Sequence, residues 1–86
     1  MFDYDPAKSQ ANLAKHGIDF DRAQDLWQDA RLLIAPGISI QEERWLAIGT
    51  IEGVHWTAVF ARRGQAIRII SVRRARRNEV QRYEGQ

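Results

Sequence analysis

The 86 residues carry 13 Lys and Arg against 11 Asp and Glu, with 44 % apolar side chains and no cysteine. Such a chain makes one small domain with a core of its own, excludes a second domain or a disordered chain, and has no disulfide or thiolate chemistry. The formal charge of +2 conceals a division, because residues 1–59 hold five basic and nine acidic groups whereas residues 60–86 hold eight basic and two acidic ones.

The opening Met-Phe-Asp-Tyr-Asp-Pro lacks a basic stretch followed by an apolar one, so it does not read as a signal peptide. Apolar runs such as Leu32-Leu33-Ile34-Ala35 fall far short of a membrane helix, and a cytoplasmic protein that does not enter the membrane is expected. Phe2 to Asp5 begins extended. Asp5-Pro6 starts a helix, with a capping carboxylate ahead of proline at the first helical position. That helix, Pro6 to His16, carries Ala7, Ala11, Ala14 and Leu13 and stops at Gly17. Asp19 caps a second helix from Phe20 to about Gln28, with Phe20, Ala23, Leu26 and Trp27 on one stripe.

Arg31 to Ala35 reads as a short strand closed by Pro36-Gly37. After a loop come a strand from Arg44 to Thr50, a tight turn at Glu52-Gly53, and a strand from Val54 to Arg62. Arg63-Gly64-Gln65 turns into the strand Ala66 to Arg73. Its apolar residues fall on both parities (Ile67 and Ile69, Ile70 and Val72), which predicts a central strand covered on both faces. A last helix spans Ala75 to Tyr83. The order ααββββα describes a single α+β domain over residues 1–86: two N-terminal helices, a four-stranded, mostly antiparallel sheet, and a C-terminal helix.

Eleven of the 13 basic residues are arginine, whose planar fork suits phosphate better than the point charge of lysine. Concentrated in one segment, they point to a polyanion such as nucleic acid, or else to a solvated charged face. Arg63 and Arg68 flank one short turn and form a joint phosphate clamp if they sit on neighbouring strands. Strand alternation places Arg73 with Ile69 and Ser71, and Arg68 and Arg74 on the opposite face. Arg76, Arg77 and Arg82 fall on a solvated helix.

His16 is either a general acid, base or phosphate ligand near Lys15, or a cation at a helix C-terminus. His55 reads as a solvent-facing strand histidine. Glu79 either pairs with Arg76 or Arg82 or accepts a proton in catalysis, and Tyr83 is either a core tyrosine or a nucleic-acid contact. Two distant histidines without thiols show no ligand spacing, so neither a metal nor another cofactor is expected. RNA cleavage by the ribose 2′-hydroxyl needs a proton acceptor, a proton donor and cations around the phosphate, an inventory this chain can supply. The competing class is a non-catalytic basic module that binds nucleic acid or an acidic protein.

Three ordered blocks spanning essentially the whole chain resemble the BrnT family, the toxin half of a bacterial type II toxin–antitoxin system. They are Phe2-x-Tyr4-Asp5-Pro6-x-Lys8-x-x-x-Asn12-x-x-Lys15-His16-Gly17-Ile18-x-Phe20-x-x-Ala23, then Glu43-Arg44-Trp45-x-x-Ile48-Gly49. The third is Arg63-Gly64 followed by Ile67-Arg68-Ile69-Ile70-Ser71-x-Arg73-Arg74-Ala75, with Glu79 and Tyr83. The chain departs from the family pattern at Phe60-Ala61, Arg62 and Val72. The resemblance implies a RelE-like fold and a metal-independent endoribonuclease that blocks translation. It also implies neutralisation by a BrnA-like antitoxin that alone touches operator DNA, with a toxin dimer inside a toxin–antitoxin heterotetramer. The active-site candidates it implies are Arg63, Arg68, Arg73, Glu79 and Tyr83, with His16 and Lys15 next.

Overall fold

In the computed structural model, residues 1–37 and 43–86 are described. The elements are β1 (Phe2–Asp3), α1 (Pro6–His16), α2 (Phe20–Ala23), a 3-10 turn (Gln24–Gln28), β2 (Leu33–Pro36), β3 (Trp45–Ile51), β4 (Val54–Arg63), β5 (Ala66–Arg74) and α3 (Arg77–Glu84). The loop expected after Gly37 lies, over residues 38–42, outside the described residues. The α+β class stands, but the sheet has five strands rather than four, in the order β1-β5-β4-β3-β2. The extra strand is the N-terminal stretch, which pairs parallel to β5 through Phe2 and Ile67 and through Asp3 and Arg68. The other pairings are antiparallel.

Local chemistry sets the element ends. The Asp5 carboxylate accepts the Ala7 N–H at 2.9 Å and the Asp19 carboxylate accepts the Arg22 N–H at 2.8 Å, each satisfying a donor that the first turn leaves free. Glu52 and Gly53 both adopt positive φ (49° and 80°), the two-residue geometry whose twist matches an antiparallel hairpin. The second helix is not continuous, tightening after Ala23 into the 3-10 turn that brings Leu26 onto the sheet.

Helix α1 turns inward on an unexpected face. Ser9 and Asn12 are its buried residues, whereas Leu13 is exposed. The Ser9 hydroxyl accepts the Phe20 N–H at 2.9 Å. Asn12 donates to the carbonyls of Ile18 and Val72 at 2.7 and 3.0 Å and accepts the Val72 N–H at 3.1 Å. Because β1 pairs with β5 only at Ile67 and Arg68, the outer edge of β5 at Val72 lacks a strand partner, and the Asn12 amide takes that place.

The core lies between α1, α2 and the 3-10 turn and one face of the sheet. Ile18, Phe20, Ala23 and Leu26 meet Ala47, Ala58, Phe60, Ile69 and Val72. Phe2 stands edge-on to Trp27, which stands edge-on to Phe60, so the core contact of β1 is aromatic. Helix α3 occupies the other face. Among the described residues, no helix is long and apolar enough to cross a membrane.

Candidate active site

A bulge decides which arginines can act together. Val59 pairs with Ser71 but Phe60 pairs with Ile69, so one residue of β5, Ile70, has no opposite number. Paired residues share a face, so Ile67, Ile69 and Val72 point to the core, through their partners Arg62, Phe60 and Ala58. Arg68, Ser71 and Arg73 point to the opposite face, through Ala61, Val59 and Thr57. Two expectations change. Arg68 joins the face of Arg73 instead of opposing it, and Ile69 leaves that face. The double parity of β5 therefore reflects a phase shift and not burial on both sides; Arg68, Ser71 and Arg73 remain only half-buried. The strand is interior, as expected, lying between the short β1 and β4. Arg63 shares the same face, beside Ala66 at the hairpin end.

Arg73 is held by an ion pair made when α3 folds back over this face. Its Nη1 and Nη2 donate to Glu79 Oε1 and Oε2 at 2.7 and 3.0 Å, a bidentate fork. Glu79 Oε1 also accepts the Thr57 hydroxyl at 3.0 Å and the Arg76 N–H at 2.7 Å, so the carboxylate caps the first turn of its own helix. The partner is thus neither the Arg76 guanidinium nor Arg82. Burial pushes the Glu79 carboxyl up, but Arg73, the Arg76 N–H and the Thr57 hydroxyl outweigh it and hold the group at about 2. Glu79 in turn raises Arg73 above its ordinary value. A carboxylate so low, accepting four hydrogen bonds, is a strong anchor and a weak proton acceptor.

Further along α3, Tyr83 is buried and donates its hydroxyl to Asp29 Oδ2 at 2.6 Å. Asp29 Oδ2 also accepts from the Thr50 N–H (2.9 Å) and hydroxyl (3.2 Å), and Oδ1 accepts the Arg31 N–H at 2.8 Å. Gly49 permits this approach, since a Cβ there would stand 3.1 Å from Asp29 Oδ2. Burial raises Asp29, but the Tyr83 hydroxyl and the other donors prevail and lower it. The bond to Asp29 is the main cause that raises the Tyr83 phenol. Tyr83→Phe should therefore cost about 1.5–3 kcal/mol, the range for a hydrogen bond to a charged group, read as a lower urea midpoint with unchanged slope. An unchanged midpoint would mean that the phenol does not anchor the helix.

The remaining candidates lie apart. Arg68 pairs with Asp3 at 2.7 Å across the parallel β1–β5 contact. His16 ends α1 beside Gly17 and Ile18, which share a cleft with Trp56 on the face that carries α1 and α2, and Lys15 is exposed next to it. The fold thus places Arg63, Arg68, Arg73, Glu79 and Tyr83 on one side of the sheet, with Arg63 and Arg73 six residues apart along β4, about 20 Å, and leaves His16 and Lys15 on the other. Arg62 lies over Trp45 at 5.2 Å and Arg74 over Trp56 at 5.6 Å, also on the side of α1 and α2. Arg76, Arg77 and Arg82 are exposed and form no ion pair among the described residues. Arg76 and Arg77 open α3, where cations oppose the helix dipole. Helix stability therefore does not explain their charge.

Sequence reasoning overlooked Thr57, Asp29, Glu84 and the surroundings of His55. The His55 ring stands edge-on to Tyr83 at 5.4 Å, and its Nε2 lies 2.8 Å from Glu84 Oε2. The one available signal was His55-x-Thr57, two residues on one face of a strand. Clefts of roughly 490 and 250 Å³ flank the Arg22–Glu52 ion pair instead, and Arg73 and Glu79 line neither. No three His, Asp or Glu among the described residues are grouped to hold a metal.

Residues 4–79 match the family model described as ribonuclease toxin, BrnT, of type II toxin-antitoxin system. The match takes in Arg63, Arg68, Arg73 and Glu79 and ends before Tyr83 and Glu84. No curated protein matches the chain.

Proposed function

Because the chain belongs to the BrnT family of ribonuclease toxins from type II toxin–antitoxin systems, we propose that it cleaves RNA internally without a metal ion and thereby inhibits translation. The ribose 2′-oxygen attacks the adjacent phosphorus as its proton leaves. The P–O5′ bond breaks, and the products carry a 2′,3′-cyclic phosphate and a 5′-hydroxyl. The supporting observation is the shared face of Arg63, Arg68 and Arg73, on which the Glu79 fork fixes the Arg73 guanidinium before any substrate arrives. Glu79 and Thr57 act in this reading by holding Arg73, and Tyr83 by fixing α3. The exposed Arg76, Arg77 and Arg82 steer RNA toward the face.

The same reading has the protein acting in the cytoplasm with a RelE-like fold. A BrnA-like antitoxin neutralises it within a heterotetramer built on a toxin dimer, and operator DNA is met only through that antitoxin. Purified protein free of antitoxin is expected to cleave RNA in excess EDTA and to arrest growth when expressed alone. Intact RNA together with harmless expression would contradict the enzyme. One observation favours a second reading, a non-catalytic binding module. Arg68 and Arg73 are already paired with Asp3 and Glu79. The same assay separates the two, since a binding module retains RNA without cutting it.

A further inference from the structure

We propose that His55, oriented by Glu84, is the base that takes the 2′-hydroxyl proton, an inference that rests on the ribonuclease reading above. The other groups on this face are committed elsewhere. Glu79 accepts four hydrogen bonds from Arg73, Thr57 and the Arg76 N–H. The Tyr83 proton is directed at Asp29, and His16 lies on the opposite side of the sheet.

His55 stands on the arginine face by register. It lies two residues before Thr57, the cross-strand partner of Arg73, and pairs with Thr50. Side chains two apart on a strand share a face, so the imidazole and the Arg73 guanidinium are diagonal neighbours. The Ala75 N–H donates to the His55 carbonyl at 3.1 Å and fixes the strand end. The ring side chain remains one quarter exposed.

Glu84 sets the tautomer. An ionised carboxylate only accepts hydrogen bonds, so the 2.8 Å contact places the hydrogen of the neutral ring on Nε2. Nδ1 then carries the bare lone pair, and no described side chain bonds it. The groups facing the ring are Glu84 and Tyr83 from α3, Thr50 from β3 and Arg73 from β5. Asp29 and Arg31 stand behind Tyr83.

The two anchored groups share a scaffold. Glu79 and Glu84 are five residues apart on α3, a rise of about 7.5 Å. Thr57 and His55 are two apart on β4, about 6.7 Å. α3, running antiparallel to β4, thus holds the phosphate-binding cation with Glu79 and the base with Glu84 from its flank. In the step, Nδ1 takes the 2′ proton, the O2′–P bond forms, the P–O5′ bond breaks, and the departing 5′ oxygen takes a proton from solvent.

His55→Ala is expected to lower the cleavage rate about 10²–10⁴-fold with RNA affinity unchanged and with partial recovery in added imidazole. The acidic limb of the pH profile of kcat/KM should disappear. His55→Gln, whose amide N–H still reaches Glu84, guards against misfolding and should be equally slow. Glu84→Ala should slow cleavage, and Glu84→Gln, which keeps an acceptor for Nε2–H, should recover part of the rate. Wild-type cleavage accompanied by His55→Ala and His55→Gln variants within about threefold of it, with the acidic limb intact, would overturn this proposal and leave the ribonuclease reading standing. A wild-type protein that does not cut RNA would remove both.

Discussion

Arg73→Ala is expected to be among the most damaging single changes in the protein, lowering stability by about 3–5 kcal/mol. The loss is not the worth of a surface ion pair. The Glu79 side chain is only 7 % exposed and would keep its charge with the fork removed. For a domain whose total stability is of order 5–15 kcal/mol, that corresponds to a fall in Tm of about 12 °C or more. Removing Glu79 as well should restore part of the loss, because the double variant buries no unpaired charge. An additive double-mutant cycle would contradict this account of the pair.

The same pair gives stability a pH dependence with a definite sign. The Glu79 carboxyl is depressed from 4.5 to about 2 in the folded protein. Its contribution is therefore fully present above the unfolded value of 4.5 and is lost as pH falls toward 2. The size is about 3 kcal/mol at 1.36 kcal/mol per pH unit. A Glu79→Gln variant, less stable at neutral pH, should show that much less loss between pH 5 and 2 in urea titrations. Equal acid sensitivity in both proteins would place the acid-labile group elsewhere.

Asn12→Ala is the second large effect. The substitution removes three hydrogen bonds at once and strands the Val72 N–H, the Val72 carbonyl and the Ile18 carbonyl, all in buried bonds. At about 1–3 kcal/mol for each unsatisfied buried group, the expected loss is at least about 3 kcal/mol. The Val72 amide should also lose hydrogen-exchange protection selectively, since Asn12 stands in for a missing strand there. A change under about 1 kcal/mol, with Val72 still protected, would show that the edge of β5 does not depend on this amide.

The parts of the fold legible in the sequence are those fixed by neighbours along the chain. Asp5-Pro6, Gly17, Asp19 and Glu52-Gly53 each satisfy or bend the backbone within a few residues, and each lies where the pattern placed it. The illegible parts depend on long-range partners. Phe2–Asp3 is a strand only because Ile67 and Arg68 offer it an edge. The inward turn of Ser9 and Asn12 answers backbone groups of Phe20, Ile18 and Val72, and no amphipathic pattern in α1 announces it. The bulge opposite Val59 and Phe60 rewrote the arginine faces, because alternation alone assumes an uninterrupted ladder. Phe60 and Val72 prove to be core residues, and Arg62 lies over Trp45. His55 looked ordinary because its partner Glu84 lies 29 residues further on.

The chemistry of the RNA ends left by the purified protein in EDTA decides whether this face cleaves RNA. Attack by the ribose 2′-hydroxyl on this face predicts 2′,3′-cyclic phosphate or 3′-phosphate ends paired with 5′-hydroxyl ends. Ends bearing 3′-hydroxyl and 5′-phosphate groups, or RNA left intact, would contradict it.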